Sequence, residues 1–331
     1  MGPGLNDMRR RIFLASATAT PVFLSVWPTR ADDYPVRSVR LVVPFGPGGV
    51  ADLTARAVGR ILGQRLGQSL VVDNRPGAGG VAAGETVAKA APDGYTLLLL
   101  SNATAVSRGL FKHLPFDARK DFAPISLLSR YDLAFIVPGL SSFESLQAWL
   151  LAARQRPGEL NVGTVNVGST QHLAAELFRL SAHVDLQVVP FNGTPAVLTA
   201  LRSGQIDAAV ESLPPIMAHI RAQSIRPLAV LGETRSPPLP QVPTVAQGAG
   251  IEGFNVSSWT ALAAPVKTPR DILARLAREV RELMELAEVK KELADLNVQA
   301  RASTPEQLAT LLDSEITRWG EVIARAGIPR Q

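Results

Sequence analysis

Two short loops combine glycine with a neighbouring acid or amide in the manner of anion-binding loops. The first is Pro44-Phe45-Gly46-Pro47-Gly48-Gly49-Val50-Ala51-Asp52, and the second is Asp73-Asn74-Arg75-Pro76-Gly77-Ala78-Gly79-Gly80. Glycine lets a backbone approach a ligand closely. A helix start then directs free N–H groups and the positive dipole end at it, so a carboxylate is held without a cationic side chain. Neither loop reads Gly-x-Gly-x-x-Gly or Gly-Lys-Ser/Thr, which weakens dinucleotide and P-loop readings. Two plainer readings stand beside the anion site: glycines that serve only a tight turn, and an Arg75 that pairs with Asp73 instead of a ligand.

Three features in the middle of the chain have the character of an opposing wall. Asn166-Val167-Gly168-Ser169-Thr170-Gln171-His172 places hydroxyls where they either cap a helix or donate to a ligand oxygen. Phe191-Asn192-Gly193-Thr194 repeats the arrangement, with Phe191 able to cover an apolar part of a solute. Asp207, in Gly204-Gln205-Ile206-Asp207-Ala208, offers a carboxylate to an amine, to water or to a neighbouring amide.

Catalytic chemistry finds little support. There is no Gly-x-Ser-x-Gly elbow. His113, His172, His183 and His219 stand at no metal-ligand spacing, and the chain has no cysteine for thiol catalysis, disulfides or thiolate metal sites. His172 is the histidine closest to the candidate cleft, and helix capping or packing accounts for it. An Asp52–Asp207 pair is chemically conceivable, but nothing in the spacing joins the two. The reading is therefore of a binder without cofactor or metal, not of an enzyme.

The elements that must position these loops alternate short β-branched runs with longer helical stretches, the sequence form of a parallel sheet covered by helices. Strands are expected at Val39–Val43, Leu70–Val72, Thr96–Leu100, Leu133–Val137, Asn161–Val165, Gln187–Val189, Ile206–Val210 and Leu228–Leu231. Helical spacing marks Leu53–Leu66 (with Leu53, Ala57, Val58, Ile61, Leu62 and Leu66 on one face), Leu146–Ala153, His172–Leu180, Ala196–Leu201 and Ile216–Ala222. Both glycine loops therefore fall between a strand and a helix, where open α/β sheets bind ligands. From Pro269 onward the pattern is nearly all helical, with Ile272, Leu276, Val280, Leu283 and Leu286 on one face and a capped helix over Pro305–Ala326. The Pro-rich Ser236–Pro243 stretch is expected to carry the chain between lobes.

The N-terminus reads as a secretory signal. Arg9-Arg10-Arg11 precedes an apolar run from Ile12 to Trp27, and Thr29-Arg30-Ala31 supplies a cleavage site, which places the mature protein in the periplasm. Arg10-Arg11-Ile12-Phe13-Leu14 has the twin-arginine pattern, and Met8 would open the basic region as an alternative start. The apolar run, broken by Pro21, falls short of the ~20 residues of a membrane span. Residues 1–31 hold four Arg against one Asp and so carry +3 of the net +5. Cleavage leaves roughly 300 nearly neutral residues, enough for two lobes and without the basic surface that nucleic acid requires.

The two glycine loops with Asp52 and Arg56, Ala91-Pro92-Asp93-Gly94-Tyr95-Thr96-Leu97, Lys120-Asp121-Phe122-Ala123-Pro124-Ile125 and Val242-Pro243-Thr244 resemble the Bug proteins. These are the TctC-like extracytoplasmic receptors of tripartite tricarboxylate transporters. The resemblance spans the mature chain in order. It implies a two-lobed Venus-flytrap α/β fold, type II-like, with lobes at 34–133 plus 233–331 and at 134–232, and with C-terminal covering helices. It also implies a monomer that takes a small carboxylate by hinge closure and hands it to membrane transporter subunits or presents it to a sensor kinase. By the same resemblance, first-lobe contacts are Phe45, Gly46, Gly48, Gly49, Asp52, Gly77 and Ala78, and second-lobe contacts are Ser169, Thr170, Phe191, Asn192 and Asp207. The chain departs from the family where selectivity is set: Glu211-Ser212 replaces the commoner Asp or Asn before the Leu-Pro pair, and Phe191 stands where Tyr is frequent.

Overall fold

A computed structural model describes residues 34–331. The signal segment 1–31, with its twin-arginine pattern, lies outside the described residues. The first half of the fold is built from β1 (Val39–Val43), α1 (Val50–Leu66), β2 (Leu70–Asn74), α2 (Val81–Ala88), β3 (Thr96–Ser101) and α3 (Asn102–Leu110). The strands lie in parallel order β2-β1-β3. The β3 run Leu97–Leu100 is buried completely, covered by helices on both faces, and each leucine contributes about 2 kcal/mol of burial.

α1 forms because Ala51, Ala55, Val58 and Leu62 recur at helical spacing and face the sheet. It ends at Gly67, whose left-handed φ of 73° lets its N–H return to the Gln64 and Gly63 carbonyls. Leu53, expected on that stripe, is instead exposed.

Two strands depart from the expected all-parallel sheet. β4 runs unbroken over Phe122–Pro138, well beyond the expected Leu133–Val137, because its two ends serve different sheets. Its Phe122–Asp132 part pairs antiparallel with β9 (Ser257–Pro265), which also pairs antiparallel with β3. Its Leu133–Pro138 part pairs with β7 (Ala208–Ser212) and β8 (Ile225–Val230). The second sheet is completed by β5 (Asn161–Val165) and β6 (Gln187–Phe191), parallel to one another and to β7. Its helices are α4 (Leu146–Gln155), α5 (Thr170–Ala182), α6 (Thr194–Arg202), α7 (Leu213–Arg221) and the short α8 (Val245–Ala249).

The result is a curled α/β sheet of two lobes that share one strand. A buried cluster runs continuously through the junction, from Leu98 and Trp319 through Trp259 to Phe135, Trp149 and Phe178.

The Pro-rich segment does not carry the crossing. Leu239 and Val242 are buried with Ile136, Ala209 and Val230 in the second sheet's core, so this stretch belongs to the second lobe. The return lies at Val256, whose N–H bonds the Leu231 carbonyl immediately before β9 begins. The C-terminal part is helical as expected, in α9 (Arg270–Glu285), α10 (Ala287–Asp295) and α11 (Pro305–Arg325), with the two-residue strand β10 (Gln299–Ala300) between the last two. Ile272, Leu276, Val280 and Leu283 are buried, whereas Leu286 is extended and ends α9. Thr304 and Gln307 form a reciprocal capping box at the start of α11.

Candidate functional site

The carboxyl ends of both sets of parallel strands face the shared stretch of β4. Ser101 at the end of β3 meets Thr260, which pairs with Ser129, and Ser212 at the end of β7 pairs with Leu133. The loops singled out in sequence therefore gather on either side of the junction, with one exception.

In the first lobe Gly46, Pro47, Gly48 and Gly49 are exposed, and Phe45 is half-buried. Gly48 has φ +83°, and a β-carbon on Gly46 or Gly48 would meet nothing within 4 Å. Packing is therefore not why these residues are glycine; backbone conformation at Gly48 and an open approach are. Gly49 caps α1 with no side-chain oxygen, which leaves the first-turn amides to an external acceptor.

The loop is held from behind by a buried acid. Asp52 Oδ2 accepts the Gly48 N–H at 2.9 Å and Arg56 Nε at 3.0 Å, and Oδ1 accepts Asn74 Nδ2 at 2.8 Å. Asn74 Nδ2 also donates to the Phe45 carbonyl at 2.9 Å, and its Oδ1 accepts from Arg56 at 3.0 Å. Burial pushes the Asp52 carboxyl upward, but the bonds from Arg56, Gly48 and Asn74 and the Arg56 charge outweigh it and hold the group below the usual carboxylate range. Asp52 is thus an organiser of the loop whose oxygens are already committed.

The second glycine loop packs on the first. Gly80, at φ +69°, lies so close to Pro44 that a β-carbon would stand 3.0 Å from the proline ring. Gly77 is exposed beside it, and Ala78 opens the single 3-10 turn Ala78–Gly80. Arg75 pairs with Asp73 at 3.1 Å, the plainer of its two readings.

In the second lobe Ser169 is fully employed as a cap: its hydroxyl accepts the His172 N–H at 3.0 Å and donates to the Val165 carbonyl at 2.7 Å. Thr170 begins α5 and is half-buried. Asn192 is exposed at the tip between β6 and α6. Phe191 is half-buried against the core around Ile206, and its ring lies 3.4 Å from where a Gly163 β-carbon would be. His172 is buried, and its Nδ1 accepts the Gly168 N–H at 3.4 Å. Burial lowers its pKa, opposed by Glu176.

Asp207 is not brought together with these loops by the structure. It directly precedes β7, at the amino end of the second sheet, and its carboxylate accepts the Asn161 N–H at 2.8 Å. The carboxyl end of β7 carries Glu211 and Ser212 in its place, both buried. Glu211 Oε2 accepts from Thr194 Oγ1 and the Ser212 N–H at 3.2 Å each and lies 3.5 Å from Gln171 Nε2, which also donates to Ser212 Oγ at 3.0 Å. Burial pushes the Glu211 carboxyl up to about 7 against those three bonds.

Ser101 and Asn102, at the β3–α3 junction, were not singled out in sequence. Ser101 Oγ is buried without a hydrogen-bond partner among the described residues, while Asn102 accepts the Trp259 N–H and donates to the Glu315 carboxylate. The direct passage from the apolar run Leu97–Leu100 into a polar Ser-Asn pair was the available signal.

Two sheets sharing one long strand, with glycine and hydroxyl loops gathered at the facing strand ends, are the architecture of a two-lobed α/β solute-binding protein. The chain belongs to the tripartite tricarboxylate transporter family receptors, whose family model matches residues 54–328. It is 35% identical to the protein BugT of Bordetella pertussis over 302 residues, covering 91% of this chain and 92% of BugT. It is 36% identical over 321 residues to a protein encoded between tcbD and tcbE in Pseudomonas sp. strain P51, covering 97% and 96%. Among solved structures it resembles Rpa4515 of R. palustris with adipate, at 34% identity and TM-score 0.79, covering 90% of this chain and all of that one. It also resembles MatC of Rhodopseudomonas palustris with bound malate, at 33% identity and TM-score 0.75, covering 88% and 100%. Among the described residues no helix is long and apolar enough to cross a membrane.

Proposed function

We propose that this chain is an exported, monomeric receptor that captures a small carboxylate between its lobes by hinge closure, is not an enzyme, and delivers its solute to a tripartite tricarboxylate-type transporter. The observation that carries the reading is the Asp52–Arg56–Asn74 clamp. It fixes Phe45 to Gly48 with main-chain atoms exposed at an uncapped helix start, as carboxylate recognition without a cationic side chain requires. Adipate and malate in two relatives support a carboxylate solute.

Phe45, Gly46, Gly48, Gly49, Gly77 and Ala78 form one side of the clamp, with Thr170, Phe191 and Asn192 opposite. Asp52 and Ser169 act behind it. The hinge runs through Asp132–Leu133 and Val256–Ser257, where the chain passes from one sheet to the other. His172, whose Nδ1 is engaged by Gly168, makes a poor general base, which favours binding over turnover.

A thermal-shift panel of mature protein with di- and tricarboxylates, amino acids and aromatic acids tests the reading. A rise in melting temperature with a carboxylate is expected. No response to any acid, together with turnover of an ester or amide, would overturn it.

A further inference from the structure

Glu211 has a position that the clamp does not explain. It is a fully buried carboxyl at the carboxyl end of β7, among the first turns of α5, α6 and α7. Oε2 holds the neighbouring polar groups, whereas Oε1 has no hydrogen-bond partner among the described residues.

Among the described residues the surrounding elements bring it no ionic partner, only the partial positive ends of the three helices. α5 supplies Gln171 and the buried His172, and its Glu176 is paired with Arg179. α6 supplies Thr194 and keeps Arg202 for its last turn, and α7 follows its N-cap Ser212 and carries His219 and Arg221 in its last turn. β4 lays Leu133 and Ala134 alongside, and Asp132 beyond them is bonded to Ser236. A carboxyl so placed is either a neutral acid or a negative charge offset only by helix dipoles beneath the second-lobe loops.

Resting on the receptor reading above, we infer that Glu211 is the specificity-determining residue of the second lobe. It selects solutes whose far end is a hydrogen-bond donor such as a hydroxyl, and it excludes a second carboxylate whenever Glu211 is ionised. Its pKa of about 7 places that change within the physiological range. At an effective dielectric of about 20, like charges anywhere within about 12 Å of one another weaken binding by at least about tenfold. By linkage, a dicarboxylate that does bind raises the Glu211 pKa further and takes up a proton.

The experiment compares adipate with its ω-hydroxy analogue, which replaces one carboxylate by a hydroxyl at the same chain length. Both are titrated calorimetrically into mature wild-type protein and Glu211→Gln between pH 5.5 and 8.5. For the wild type, adipate affinity is expected to fall by at least tenfold across that range with net proton uptake near pH 7, while the hydroxy acid changes little. In Glu211→Gln the adipate dependence disappears and adipate binds at pH 8.5 as it does at pH 5.5. The wild-type profile alone carries the test should the variant fail to fold. Equal pH profiles for the two acids, or an unchanged adipate profile in Glu211→Gln, would overturn the inference and leave the receptor reading intact. Failure of both acids to bind either protein, with no response across the wider panel, would overturn both.

Discussion

Asn74 Nδ2 donates at once to the Phe45 carbonyl and to Asp52 Oδ1, so a residue at the end of β2 fixes the loop that follows β1. The two glycine loops are thereby one unit. Asn74→Ala is expected to lower carboxylate affinity by at least tenfold and to cost about 1–2 kcal/mol of stability, because it leaves Asp52 and the Phe45 carbonyl each short of a donor. Titration calorimetry and urea unfolding measure the two effects. Wild-type affinity in this variant would detach the clamp from binding.

Gly48 separates conformation from packing. Gly48→Ala meets no neighbour, so its cost is the left-handed backbone, about 1–2 kcal/mol. The variant should fold, with a modestly lower melting temperature and strongly reduced solute response.

Asp207→Asn tests the residue that the fold removes from the site. An amide oxygen can still accept the Asn161 N–H, so a stability loss of about 1 kcal/mol and unchanged solute affinity are expected. A tenfold loss of affinity would return Asp207 to the binding surface.

Glu211 ties stability to pH. Its pKa in the folded protein lies above its ordinary value of 4.5, so its contribution is fully present below 4.5 and is lost as pH rises through about 7. Glu211→Gln should therefore be more stable than wild type at pH 8 by on the order of 3 kcal/mol, with the difference vanishing near pH 4.5. Asp52 behaves oppositely. Its pKa is depressed below 3.8, so its contribution is present above that value and is lost as pH falls through the folded pKa. Urea midpoints across the two windows check both signs.

Lobe contact has a specific locus. A β-carbon on Gly168 would lie 2.1 Å from Leu110 Cδ1, across from the α3 end. Gly168→Val should prop the lobes apart, raise the radius of gyration in small-angle scattering and weaken binding. Adding Leu110→Ala should restore part of the affinity by relieving the clash, although the backbone strain at φ +78° remains.

The loops and most parallel strands were legible because β1, β2, β3 and β5 carry local signals: short valine- or leucine-rich apolar runs, or in β5 alternating β-branched residues, followed by proline, glycine or polar residues. β9 was not, since Ser258-Trp259-Thr260-Ala261-Leu262-Ala263-Ala264 is buried on both faces and shows no alternation. The long β4 was read only where Leu133–Val137 is continuously apolar, because bulges near Ser126 and Ser129 break its period. Asp207 was misplaced for a geometric reason. Sequence puts it near a strand, whereas direction along that strand decides which end of the sheet it occupies, and Glu211, four residues on, lies at the other end.

In the proposed receptor, main-chain atoms of Pro44–Gly49 bind the solute carboxylate. Calorimetric titration of mature wild-type protein and Gly48→Val with adipate and malate tests it most directly. Saturable one-to-one binding of at least one acid is expected for the wild type, and its abolition in a variant that still unfolds cooperatively. Wild-type affinity in folded Gly48→Val, or the absence of binding by any carboxylate to the wild type, would contradict it.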